Sequence, residues 1–208
     1  MSLAIEVLSG APDPYAAAPT LLLKLRLTRT EAEPVHAMVL RAQIRIEPQL
    51  RRYSPAEEER LVELFGEAPR WGDTLKPFLW THVSTTVAEF TGTLDIDLPV
   101  PCTYDFEVAA AKYLHGLGDG EIPIVLLFNG TIFGYRDGRL VVEPIAWNVE
   151  ASHRLPVSVW RATMDSFFPD SGWIRVRRDT LDALTRFKAD RALPSWEDAF
   201  ERLLKEAE

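Results

Sequence analysis

Residues able to do chemistry are few in this chain and widely spaced. Cys102 is the lone cysteine, and the four histidines, His36, His82, His115 and His153, include no short-spaced pair. Cys102 with one histidine and Asp105 is the minimum for a thiol nucleophile. Its context PVPCTYDF, however, matches neither a nucleophile elbow nor papain-like surroundings. A small buried side chain beside a prolyl bend is the simpler reading. Metal binding would require folding to gather His82, Cys102 and His115, since no CxxC or similar local ligand spacing exists. Neither a metal nor a cofactor is therefore expected.

Acid pairs occur at Asp95/Asp97 and Asp105/Glu107. In a strand, residues i and i+2 share a face, so each pair could hold a cation or divide acid and base roles. The solvated face of a half-buried sheet explains them equally well. GLGDG (116–120) has the glycine content of a phosphate loop, but EIPIVLLF follows it and reads as a strand, where a nucleotide fingerprint needs a helix. Serine offers no GxSxG. Arginine is concentrated at Arg175, Arg177 and Arg178 and, less densely, at Arg51-Arg52. The one spot suggestive of recognition is Arg70-Trp71, between Pro69 and Gly72, because Arg and Trp are enriched at binding hot spots. We expect a protein-contact surface there.

Composition sets the frame for these groups. A chain of 208 residues, 47% hydrophobic and 26% charged, can bury a substantial core. A formal net charge of −8 disfavours generic nucleic-acid binding. The N-terminal MSLAIEVLSG has no basic n-region with an apolar run behind it, and the most apolar window, IPIVLLF, is too short to span a bilayer. A cytoplasmic protein without membrane association is expected.

Alternation of period two dominates the first 147 positions. Leu21, Leu23, Leu25 and Leu27 interleave with Leu22, Lys24, Arg26 and Thr28, and Met38 to Ile46 repeats the pattern after a polar connection. These two strands are candidates for antiparallel pairing. Phe78 to Val87, Leu94 to Leu98 and Tyr104 to Val108 also read as strands, with Pro99 and Pro101 suiting a bend or sheet edge. Asn129-Gly130 satisfies a glycosylation pattern with Thr131, but between apolar arms it is the stronger signal for a two-residue hairpin. With Asp137-Gly138 eight residues later, it predicts a three-stranded meander. One helix interrupts this half: Ser54 caps it, Pro55 fits its first position, Glu57 completes a capping box and Gly66 ends it. AAAKYLHGL (109–117) fits either a strand end or a short helix.

After Trp147 the period changes to about 3.6. Val157, Trp160, Met164, Phe167 and Phe168 fit one helical face behind Pro156, closed by Pro169. A second helix is capped at Asp179 with Leu181, Leu184 and Phe187 inward, and a third at Ser195 with Asp198 in the box position. The fold class expected is α+β: an antiparallel β-sandwich-like part over 1–147 with an inserted helix, then a helical C-terminal cover over 148–208, together forming a single domain.

Several blocks, among them ELFGEAPRWGDTLKPFLWTHV, PVPCTYDFEVAAAKYLHGLGDGEIPIVLLFNGTIF and ASHRLPVSVWRATMDSFF, together resemble over most of the chain a bacterial family of about 200 residues that is a domain of unknown function. That resemblance brings no catalytic residue with it. It implies an accessory role near nickel-iron hydrogenase genes, although no hydrogenase-type CxxC motif is present. The expected function is a non-catalytic binding or accessory protein acting through protein contacts. The alternative is an enzyme or small-ligand binder with a site assembled from Cys102, Asp105, His82 and His115. A third possibility is an oligomer, if apolar faces of the meander are left uncovered.

Overall fold

The computed structural model describes residues 3–31, 33–103, 105, 108–169, 171 and 174–207. The chain divides into two compact units, Met1–Gly172 and Trp173–Glu208. In the first, β1 (Leu3–Pro12), β2 (Thr20–Arg29) and β3 (Val35–Ile46) are followed by α1 (Pro55–Phe65) and the single turn α2 (Trp71–Thr74). Then come β4 (Phe78–Val87), β5 (Thr93–Pro101), α3 (Ala109–Gly116), β6 (Glu121–Arg136), β7 (Arg139–Pro144), β8 (Glu150–Pro156) and α4 (Val157–Phe167).

The strands form two antiparallel sheets. One has the order β1-β2-β5; the other runs β4-β3-β6-β7, with β8 also pairing β6. The alternating leucines supply the contact between them: Leu21, Leu23, Leu25 and Leu27 are fully buried, as are Met38, Leu40, Ile44 and Ile46. All eight join one hydrophobic core with Ile5, Leu98, Ile124 and Leu126. The expected β2–β3 pairing is thus corrected. Both strands carry continuous apolar faces, and these faces meet across the sandwich while each backbone pairs with other strands. Pro99 and Pro101 do lie on an edge strand, β5.

At Asn129-Gly130 there is no turn. β6 runs straight through it, pairing β3 from Val35↔Gly134 to Ile46↔Ile124. Even-numbered side chains stay inside on both flanks: Ile124, Leu126, Phe128 and Ile132 are all buried. A hairpin there would strip β3 of a partner along its length. Glycine is required for another reason: at φ 147° a Cβ on Gly130 would sit 2.0 Å from the Val39 carbonyl oxygen. Asp137-Gly138 is a true two-residue turn, with both residues at positive φ (52° and 71°), joining Arg136 to Arg139.

β8 corrects the placement of the helical part from residue 148. Glu150–Pro156 pairs residues 121–127 of β6, so the β-rich part extends past Trp147. AAAKYLHG resolves as a helix, α3. The strand expected through Tyr104 and Phe106, and the partner of Asp105 at Glu107, lie outside the described residues; Val108 itself precedes α3 in a turn, its N–H donating to the Asp105 carbonyl at 3.0 Å.

The second unit contains α5 (Arg178–Asp190) and α6 (Trp196–Ala207). Ser195 and Asp198 make the expected box, with Asp198 N–H donating to Ser195 Oγ at 3.0 Å. The residue before α5 is Arg177, which places Asp179 inside the first turn instead of at the cap. No helix among the described residues is long and apolar enough to cross a membrane.

Candidate functional site

Trp71 is not presented to solvent. Only 7% of it is exposed, and its indole N–H donates to the Gly66 carbonyl at 2.7 Å. Its ring meets Tyr53 and Phe65 edge-on, with centroids 5.1 and 6.0 Å apart. Phe78 and Tyr113 extend this cluster. The short-range cue was real, a Trp flanked by Pro and Gly, but the helix stop at Gly66 supplies a carbonyl for the indole and folds it inward. Arg70 alone remains exposed.

Beneath this cluster lies a buried ion pair. Arg51 Nη2 and Glu57 Oε1 are 2.7 Å apart, with side chains 7% and 3% exposed. Glu57 closes the capping box of α1 and also accepts the Gly118 N–H at 2.7 Å. Burial alone would raise its carboxyl, yet hydrogen bonds from Ser54 and Gly118 and the Arg51 charge outweigh that and hold it below the usual range. GLGDG does meet an anion, then, through the Gly118 N–H, and the anion is the protein's own carboxylate. Above it, the Tyr53 and Tyr113 hydroxyls are 2.9 Å apart, and burial pushes the Tyr113 phenol up to about 12.

Candidates for nucleophilic or metal chemistry occupy separate elements. Cys102 follows edge strand β5, its Sγ donating to the Val100 carbonyl, and burial pushes its thiol up to about 12. It is a protonated, inert thiol at neutral pH. His82 lies on the exposed face of β4, sharing a shallow hollow of about 340 Å³ with Arg41, Ser84 and Asn129. His115 ends α3 with its ring edge-on to Trp160, centroids 4.7 Å apart; burial, aided by Arg161, pulls its imidazole below the usual value. Asp105 donates its backbone N–H to Thr103 Oγ. No three His, Cys, Asp or Glu among the described residues are placed to hold a metal ion. Asp95 of the other acid pair faces Arg26 across the strands, accepting two hydrogen bonds at 2.8 Å, which is a surface role.

The β6–β7 hairpin gathers the features that the local motifs did not announce. On its inner side Glu143 is buried and lies 3.3 Å from Arg29 Nη2 and 3.6 Å from Arg136 Nη2, while Arg29 also meets Glu31 at 2.8 Å. Arg29 ends β2 and Glu143 is on β7, so this knot ties one sheet to the other. It lines a cleft of about 580 Å³ between β1 and the segment after β7.

The hairpin's outer side is apolar and bare. Tyr135 faces Leu140, and Phe133 faces Val142, in direct cross-strand pairs. Tyr135, Leu140 and Val142 are 52%, 57% and 55% exposed, and Trp147, on the turn after β7, is 93% exposed. His36 packs its ring against Tyr135, centroids 5.2 Å apart. Period-two reading of RLVVEP contained the signal: Leu140 and Val142 alternate with Glu143, and the acid faces in.

Comparison with known proteins adds membership and little else. No curated protein matches the chain. Among solved structures, a β-glucosidase from Kluyveromyces marxianus matches at TM-score 0.28 and 7% identity over 74% of this chain and 15% of its own. A bacterial adhesin from Mobiluncus mulieris matches at TM-score 0.28 and 11% identity, over 74% of this chain and 53% of its own. Likeness at that level carries no argument about fold or activity. The family model, by contrast, spans residues 1–208, and the chain belongs to the family of unknown function DUF6084.

Proposed function

We propose that this protein is a non-catalytic binding or accessory module whose contact surface is the outer face of the β6–β7 hairpin. The observation that carries the reading is the contiguous exposed set Tyr135, Leu140 and Val142, with Phe133 between them. Scattered apolar residues are ordinary on a surface, but neighbours on one sheet face mark an interaction site more often than chance exposure does. Its rigidity also favours recognition, because the Arg29–Glu143 tie holds the hairpin before any partner arrives. Arg70 and Trp71 lose their place as the leading contact, since the indole is enclosed. Hydrogenase assembly proteins are the partner class to test first, on the family resemblance.

Site-specific photo-crosslinking in the native host tests this. A benzoylphenylalanine replacing Tyr135 should capture a protein partner, whereas the same group replacing exposed Lys24 on the other sheet should not. Equal capture at both positions, or none at Tyr135, overturns the assignment of the surface.

A further inference from the structure

We infer that β7 is also a homodimer edge, along which a second copy of this chain adds its own β7 antiparallel, about a two-fold axis at Val141. The inference rests on reading the hairpin as a contact surface, and it names one occupant for its free edge. Among the described strands, β7 pairs only with β6. The phase of its backbone is fixed by Ile145, whose N–H donates to the Gly130 carbonyl at 3.0 Å, toward β6. Alternation along the strand then points the N–H and C=O of residues 139, 141 and 143 toward β6, and those of Leu140 and Val142 outward. Residue 144, next in the outward series, is a proline and has no N–H to offer.

That pattern selects one register. Pairing Leu140 with Val142 of the second copy matches outward groups with outward groups on both strands and leaves Pro144 outside the ladder. Shifting so that Val142 faces Val142 brings Leu140 opposite Pro144, where no donor exists. In the selected register the side chains agree as well. Leu140 of one copy lies against Val142 of the other on the bare outer face, both being more than half exposed in the single chain. Arg139 of one copy falls opposite Glu143 of the other on the inner face, so the strand is self-complementary in charge. Edge strands exposing apolar residues are normally blunted by charges or proline; in this register Pro144 lies outside the ladder and the strand's two charges, Arg139 and Glu143, fall opposite each other.

Sedimentation equilibrium of the full chain over a concentration series tests this. Wild type should move from the 23.5 kDa chain toward twice that mass. Val142→Pro removes an outward N–H while sparing the β6–β7 ladder, and Arg139→Glu sets two acids opposite each other; each should raise the dimer dissociation constant at least about tenfold. If Val142→Pro does not fold, as judged by circular dichroism, Arg139→Glu decides. A monomer at every concentration overturns the proposal, and so does a dimer indifferent to the folded variants. Such a failure leaves heterologous capture at Tyr135 intact, because that residue lies one strand away from the edge. Loss of Tyr135 capture with a dimer retained would refute the other reading alone.

Discussion

Glu57→Gln isolates the group that joins α1 to the loop before β6. The carboxylate receives the Ser54 N–H at 2.8 Å, the Gly118 N–H at 2.7 Å and Arg51 Nη2 at 2.7 Å. An amide keeps one carbonyl acceptor and turns its NH₂ toward the remaining donors, so at least one buried N–H loses its partner and Arg51 loses its counter-charge. Breaking a buried pair on one side costs about 3–5 kcal/mol, which in a unit of this size corresponds to a fall in Tm of about 6–20 °C. The pH dependence follows from the lowered carboxyl. A carboxyl held below its unfolded value contributes stability that is complete above the ordinary value of 4.5 and disappears as pH falls through the folded one. The deficit of the variant should therefore be largest near neutrality and shrink in acid. Urea unfolding followed by tryptophan fluorescence across a pH series measures both quantities. A deficit below about 1 kcal/mol at neutral pH, the level of an exposed ion pair, or one that persists unchanged in acid, would refute the account of this network.

Gly130→Ala places a methyl 2.0 Å from the Val39 carbonyl oxygen at a positive φ, so the variant should lose at least about 2–4 kcal/mol in chemical denaturation. Trp71→Ala opens the cluster around Tyr53 and Phe65 and should cost about 3–5 kcal/mol by the same measurement, where an exposed tryptophan would cost almost nothing. Cys102 in the native protein should resist iodoacetamide at neutral pH and react once urea unfolds the chain, as read by intact mass, because burial keeps its thiol protonated.

Much of the fold was legible because the relevant signals are local. Ser54, Pro55, Glu57 and Gly66 delimit α1 as their types require, and Asp137-Gly138 forms the turn its conformational freedom permits. Two of the failures share one cause, which is that a residue with a local preference was used for a tertiary contact. Asn129-Gly130 has the composition of a turn, yet β3 needs an unbroken partner and the Val39 carbonyl needs an absent side chain. Trp71 has the setting of a surface hot spot, yet its indole found the Gly66 carbonyl. β8 was missed because its inward residues are Ala151, His153 and Leu155, too weakly apolar to display a period of two before the helical face of α4 begins. The pairing of β2 and β3 failed because alternation reports which face is buried and carries no information on which strand lies beside it.

The hairpin shows how structural and contact roles can alternate along one short strand. In RLVVEP, Glu143 points inward to Arg29 and Arg136, while Leu140 and Val142 point to solvent. The usual arrangement of an outer strand puts the apolar residues inward and the acid outward. Had Glu143 been a leucine, the hairpin would be held by burial alone and its position would relax with the core. A charged tie between β2 and β7 instead fixes the strand at a sheet edge where few apolar contacts are available, at the desolvation cost of two buried charges, Arg29 and Glu143. An arrangement with that cost contributes little net stability over a hydrophobic substitute; what it gains is a defined position for the apolar face above it. On the proposed reading of the hairpin as a contact surface, the inverted polarity of β7 holds the exposed Leu140 and Val142 in a fixed position through the acid on the opposite face.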